Sequence, residues 1–511
     1  MTTIDYEAPA ETTSFDDMVD GDHSEENGNL LRLLKKNDDG EDEVCDLMLC
    51  GEEHADIWCT FGYHPTSKFL GWLGYFVKKS THLSFFVLTG QNIFRHCSKE
   101  SVDAFFRDLG QCDFFKTMSF CHCDLTYVMY KLGPAMRNSN VAQLLLDGCD
   151  VDISEANHLF EVLREMNSLE EFSFESAEWE QEAYVLDDET LAGCIPSLKN
   201  HTRMQEMTLC DMKMSTGSCN ALSAVLPQMA GIRSLHLGRN LIDCECTKAL
   251  VRALEGCRRL EKLELTDNRI GDTGLDALIR GLPTSVHTLG LSLNEIAFTR
   301  PLSPLRFHDL DLSGNPISLD GLRMVADSLA DTGCGVGKLR FQDTLTEDQA
   351  AIFAAGLRSN RSITHLALVR DSNGQNHMGL DVFSSMLCDT TSINATHSSN
   401  HTLQNVVIER SYSTKLPHDG AAMLDLNSNQ DKNIVAAKKI LLSHRHLDMV
   451  PLFDEALGLL PLVIVWLERF AVSRRDLKLS SIFQFVRAMP IEIAVGYMGA
   501  LKKKRKRSHY H

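Results

Sequence analysis

The chain has 511 residues, 43% of them hydrophobic, and a formal net charge of −20 at pH 7. That apolar content fits a well-buried fold, while the negative surplus repels nucleic acid and anionic membranes over most of the surface, which argues against a general nucleic-acid binder. The longest apolar run, Ala456 to Leu467, has twelve residues, too few to cross a bilayer.

The first stretch, MTTIDYEAPAETTSFDDMVDGDHSEEN, has neither a basic n-region nor an apolar h-region, so an intracellular location, cytoplasm or nucleus, is expected. Residues 1–43 are rich in Asp and Glu and are expected to lack structure. Sixteen scattered cysteines read as reduced thiols packed as small apolar groups. The N-x-S/T triplets at Asn200, Asn360, Asn394 and Asn400 then read as chance matches. Residues 44–82 hold the amphipathic stretch PTSKFLGWLGYFVKKSTHL, suited to an N-terminal cap or degenerate repeat.

From residue 83 to 423 the chain repeats. In LEKLELTDNRIGDTGLDALIRGL, residues 260–282, Leu260, Leu263, Leu265, Asn268 and Ile270 fit LxxLxLxxNxI, and the same frame recurs 28 residues earlier from Ile232 and again from Met204. The LxL core alternates as a short strand does, and Asn268 can satisfy backbone groups at the turn. The second half carries Leu275, Leu278 and Leu282 at helical spacing, with Asp272 or Thr273 placed to cap the helix. Repeat starts fall at Leu83, Phe115, Val141, Leu169, Met204, Ile232, Leu260, Val286, Phe307, Val336, Ile363 and Leu403, with a degenerate candidate at Val44. One such unit cannot bury both faces alone, whereas stacked units share a continuous core.

This frame resembles the ribonuclease-inhibitor-like class of leucine-rich repeats over roughly residues 44–415, most clearly from 204 to 320. The resemblance implies a curved α/β solenoid with parallel strands on the concave face and helices outside. The terminal pieces FLGWLGYFVKKSTHL and LKLSSIFQFVRAMP resemble those of uncharacterised leucine-rich-repeat proteins of unicellular algae, a likeness that brings no established activity.

Three spacings depart from the period. The unit from Leu169 is 35 residues long and contains the acidic ESAEWEQEAYVLDDE, and the unit from Ile363 is 40 long and contains the polar DTTSINATHSSNHT. Both inserts are expected as surface loops. The unit from Val286 has 21 residues and is expected to replace its helix with an extended PLSPL connection. Residues 424–500 leave the repeat for helical segments that suit a C-terminal cap, and residues 501–511 form a basic tail.

Motifs for chemistry are scarce. GCGVGK, Gly333 to Lys338, lacks the spacing of a phosphate loop and runs into the strand that uses Leu339 as a core residue. Cys121-His122-Cys123 and Cys244-Glu245-Cys246 have no second half at zinc spacing, and Cys123 fills the Asn slot of its repeat. No catalytic residue, metal or cofactor is therefore assigned, and no enzyme is expected.

The residues flanking the strand leucines are expected on the concave face. They are Phe85, Val87 and Leu145, then Asp147, Glu171, Glu175, Glu206, Glu264, Asp309 and Asp311, and finally Lys338, Arg340 and Arg370. An apolar, then acidic, then basic wall suits recognition of a protein partner. The tail Lys502, Lys503, Lys504, Arg505, Lys506 and Arg507 looks like a nuclear-localisation signal for an import receptor. The expected function is a non-enzymatic scaffold or adaptor. The alternative is a small-GTPase activator, since the repeats also resemble Ran GTPase-activating proteins, although no matching Asn and Arg can be assigned here and a basic tail stands where that family has an acidic segment.

Overall fold

The computed structural model describes residues 7–21, 24–39, 46–51, 65–176, 186–300, 303–342, 346–369, 380–409 and 418–444, apart from the single positions 91, 124, 138, 150 and 430. The chain divides into two compact units, Met1–Ile296 and Ala297–His511.

Among the described residues unit 1 contains nine strands: β1 Asp46–Cys50, β2 Phe85–Thr89, β3 Thr117–Cys121, β4 Gln143–Asp147, β5 Glu171–Glu175, β6 Glu206–Cys210, β7 Ser234–His236, β8 Lys262–Glu264 and β9 Thr288–Gly290. Each pairs in parallel with the next, so strand order equals chain order. Unit 2 holds β10 Asp309–Asp311, β11 Lys338–Gln342, β12 His365–Val369 and β13 Asn405–Glu409, again parallel and in order. Every strand begins two residues after a repeat start, including the degenerate one at Val44. This is the α/β leucine-rich-repeat solenoid that the period implies.

The repeats stack because the LxL pair of each strand points into one spine. Leu144 and Leu146, Phe172 and Phe174, Met207 and Leu209, and Leu235 and Leu237 are all buried, each contributing roughly 1.5–3 kcal/mol. Buried asparagines stitch the turns: Asn240 Nδ2 donates to Leu209 O at 2.8 Å and its Oδ1 accepts from Met212 N and Met214 N at 3.1 and 3.0 Å. Asn268 repeats the pattern one rung on, donating to Leu237 O and accepting from Ile242 N, both at 2.9 Å. Returning helices pack side by side, with starts fixed by Ser98, Asp152, Asp243, Ser318 and Thr346, whose side chains accept backbone N–H groups.

The helix of the 260–282 unit spans Asp272–Gly281 and has Gly271 at its N-cap. Neither Asp272 nor Thr273 caps it, as both already lie inside the first turn. Between Gly290 and Asp309 no helix occurs among the described residues, in line with the short spacing after Val286.

Three expectations are corrected, while the burial of Asn360 and Asn400 agrees with reading their triplets as chance matches. The acidic N-terminal segment forms helices Glu7–Thr12, Phe15–Met18 and Ser24–Asp39. Leu30, Leu31 and Leu34 share one helical face and are buried, so the segment closes over helix Ser67–Lys79 despite its charge. The polar stretch from Asp389 to Thr402 is a surface segment only in part: residues 390–394 are exposed, but Thr396, Ser399, Asn400, His401 and Thr402 are buried, with Thr396 Oγ1 bonded to Asp389 O and His444, Ser399 Oγ to Ala395 O and Asn400 Oδ1 to the N–H of Thr402. Asn360 and Asn400 are buried and donate to Leu329 O and Leu357 O at 2.7 and 2.6 Å, which closes those triplets to modification. Cys50 is disulfide-bonded, whereas thirteen other described cysteines are free.

Helices His418–Asn427 and Lys432–Ser443 follow the last strand and pack on each other. The rest of the expected cap, the basic tail Lys502–Arg507 and most of the ESAEWEQEAYVLDDE insert lie outside the described residues. No described helix is long and apolar enough to cross a membrane.

Candidate functional site

Successive side chains of a strand alternate, so with the second and fourth residues in the spine, the first, third and fifth stand on the opposite face. In unit 1 that face is open over β4 to β6 and at β8, while at β7 Ser234 is buried and His236 half-buried. Asp147 and Glu206 are exposed, and Glu171, Glu175 and Glu264 are half-buried, as their positions require. Leu145, Ser173 and Thr208 line the centre, half-buried. Phe85 is half-buried too, but Val87 is only 7% exposed. It stands in register between Met48 and Ser119, the latter also buried, so that end of the face is filled rather than offered.

Parallel register sets the electrostatics. Glu171 faces Glu206 on the next strand, and its carboxyl is raised above the usual range by burial and by that like charge. Gln143 Nε2 opposes this rise by donating to Oε2 at 2.7 Å. Glu175, Asp211 and Glu264 are instead paired with cations. Arg239 reaches back over two rungs to pair with both Glu175 and Asp211, and Lys262 pairs with Glu264 at 3.4 Å. Glu264 leans over Gly290, where a Cβ would collide with Oε2. Ser234 Oγ and His236 Nε2 are 2.8 Å apart, and burial together with Lys262 pulls the imidazole pKa down, in favour of the neutral form. Burial also pushes the Cys210 thiol up to about 11, in favour of the protonated form.

Arg239, Ser234, His236 and Lys262 escape a reading that looks for runs of one charge sign. Ser234, His236 and Lys262 occupy the same first and third strand positions as the acidic residues. Arg239 lies beyond its strand, and the signal for it is its place immediately before the turn asparagine Asn240.

At that place the chain of unit 1 repeatedly turns left-handed, at Gly90, His122, Gly148, Asp211, Arg239, Asp267 and Leu293. The cause is visible in the backbone: the N–H of this residue donates sideways to the neighbouring rung, as from His122 to Asp147 O, Arg239 to Thr266 O and Asp267 to Ser292 O, each at 2.8 Å. Hydrogen bonding thus continues past the strand into the turn.

In unit 2, Asp309 and Asp311 are half-buried and Lys338 and Arg340 exposed. Register sets Asp309 beside Lys338 and Asp311 beside Arg340, so opposite charges alternate there. Arg370 lies outside the described residues.

The other motifs resolve into architecture. Cys123 Sγ donates to Leu88 O at 3.1 Å and Cys149 Sγ to Phe120 O at 3.1 Å, in the Asn role. Cys244 Sγ accepts from Gly271 N at 3.3 Å, and Cys246 is buried. Among the described residues no three His, Cys, Asp or Glu converge on a common point for a metal. In GCGVGK the N–H groups of Gly335, Gly337 and Lys338 are spent on Leu305 O and His308 O, and Leu339 is in the core.

No family model matches the chain. Over 209 residues, 39% of this chain and 20% of the relative, it is 25% identical to NACHT, LRR and PYD domains-containing protein 3 of Rattus norvegicus. Over 152 residues, 26% of this chain and 33% of the relative, it is 30% identical to the ribonuclease inhibitor of Sus scrofa. Over 150 residues it is 29% identical to NACHT, LRR and PYD domains-containing protein 5 of Homo sapiens, 29% of this chain and 11% of that one. The chain therefore spans a third or less of these curated relatives. An internalin (inlF) of Listeria monocytogenes overlays 79% of this chain and 98% of its own, with 14% identity and a TM-score of 0.37.

Proposed function

We propose that this ribonuclease-inhibitor-like leucine-rich-repeat protein acts as a scaffold or adaptor that binds a protein partner through the open strand face of unit 1. The observation that carries the reading is the alternation along β4, β5 and β6, where every second side chain is sealed in the spine and every other one is half-buried or exposed. A row of fixed, partly desolvated polar groups around Leu145 offers both an apolar contact and charge for orienting a partner. The relative from Sus scrofa is named for an action on another protein. No reaction is assigned to the face, since His236 is engaged with Ser234 and the Cys210 thiol is held protonated. Nothing among those relatives supports the GTPase-activator alternative.

The test is a photo-crosslinking amino acid placed at Thr208 on the strand face and, separately, at Arg252 on the exposed side of helix Cys244–Leu254. Partner crosslinks are expected from position 208, and crosslinks formed only from position 252 would remove the proposal. The second element is the tail Lys502–Arg507, six adjacent cations that suit an import receptor. Deleting it from a fluorescent fusion is expected to abolish nuclear accumulation; an unchanged distribution retires that part.

A further inference from the structure

We infer that Leu293 and Asp267 anchor the partner on unit 1, and that the partner presents an apolar side chain next to a Lys or Arg. The inference rests on the recognition reading above and specifies its contact. A left-handed backbone suits glycine and is tolerated by Asp and His, but it crowds the Cβ of larger residues. The left-handed rungs follow this rule at Gly90, Gly148, His122, Asp211 and Asp267. Arg239 breaks it with compensation, because its guanidinium holds Glu175 and Asp211.

Leu293 breaks the rule without such compensation, since a leucine side chain makes no hydrogen bond or ion pair and more than half of this one stays in solvent. Its φ is 55° and the side chain is 54% exposed, one of the few large apolar groups so open among the described residues. Strain without internal return marks a residue displayed for contact. The neighbouring rung supplies the charge: Asp267 is exposed, its N–H bonds Ser292 O at 2.8 Å, and its carboxylate makes no ion pair among the described residues. A leucine beside an open carboxylate is complementary to an apolar group flanked by a cation.

Random peptides displayed on phage are selected against the full chain, and the binders are resynthesised and titrated by fluorescence anisotropy. The variants are Leu293→Gly, Asp267→Asn and, as control, Ile153→Ser, which removes another exposed apolar group at the start of helix Ile153–Glu165. Binders are expected to carry an apolar residue close to Lys or Arg, to lose about tenfold or more affinity on Leu293→Gly and Asp267→Asn, and to bind Ile153→Ser as they bind the parent. Leu293→Gly is expected to melt no earlier than the parent, since glycine fits the turn. Binders that hold Leu293→Gly as tightly as the parent, an earlier melt, or no enrichment at all would overturn the inference. Binders weakened by Glu206→Lys but not by Leu293→Gly would overturn it while leaving strand-face recognition standing.

Discussion

Cys123 and Asn240 occupy equivalent places in their repeats and perform half of the same task. The thiol of Cys123 donates to Leu88 O at 3.1 Å as the amide of Asn240 donates to Leu209 O at 2.8 Å. Only the amide also accepts, taking the N–H groups of Met212 and Met214. Asn240→Cys is therefore expected to keep the donor and strand two buried N–H groups, costing about 1–3 kcal/mol, with Asn240→Ala costing more because the carbonyls lose their donor as well. Urea unfolding of both variants checks the ranking; equal losses would mean that the thiol does not reproduce the donor half.

The periodic part of the fold was legible because a strand, a turn and a helix recur at fixed offsets, and all thirteen strands follow their repeat starts by two residues. The N-terminal helices were not, because the acidic composition outweighs the short leucine triplet at 30, 31 and 34. Nor was the burial of Thr396 and Asn400, whose partners His444 and Lys439 lie some 40–50 residues further on. On the strand face the alternating positions follow from strand geometry. The ion pairs of Arg239 do not, since Glu175 and Asp211 belong to two other rungs.

Those ion pairs yield a second prediction. The Asp211 side chain is only 5% exposed, so Arg239→Met leaves a nearly buried carboxylate without its cation, at an expected cost of about 2–4 kcal/mol. Arg239→Gly loses the same pairs but relieves the left-handed backbone, so it is expected to retain roughly 1 kcal/mol more stability than the Met variant. Chemical denaturation of the pair measures the difference, and a Met variant as stable as the parent would refute the role given to the clasp.

Lys439 supplies a pH-dependent one. Its side chain is fully buried in helix Lys432–Ser443 and donates to Leu387 O and Asn400 O, both at 2.7 Å. Burial pulls its pKa down to about 7 from 10.5, with Lys432 adding in the same sense and Cys388 opposing. Between those values the unfolded chain binds the proton and the folded chain does not, so unit 2 is expected to gain stability as pH rises from about 7 toward 10. Lys439→Met abolishes that slope and leaves two carbonyls without a donor, a loss of about 1–3 kcal/mol that shows at the alkaline end, where the lysine no longer carries its desolvation penalty. Hydrogen exchange across helix Lys432–Ser443 over this pH range reads both effects.

Close approach of two helices in unit 2 gives the last. A Cβ at Gly356, in helix Glu347–Ser359, would lie 2.6 Å from both the Cα and the carbonyl oxygen of Ala326 in helix Leu319–Ala330. Backbone cannot yield as a flexible side-chain end can, so Gly356→Ala must separate the helices and is expected to cost about 1–3 kcal/mol. Gly193, inside helix Asp188–Cys194 of unit 1, has nothing within 4 Å of the same added atom. Gly193→Ala removes the entropic penalty of a helical glycine without a clash and is expected to add about 0.5–1 kcal/mol. Opposite signs from one chemical change, read in thermal melts, would confirm that contact at Gly356 and not glycine content sets the local cost; two shifts of the same sign would contradict the packing described for unit 2.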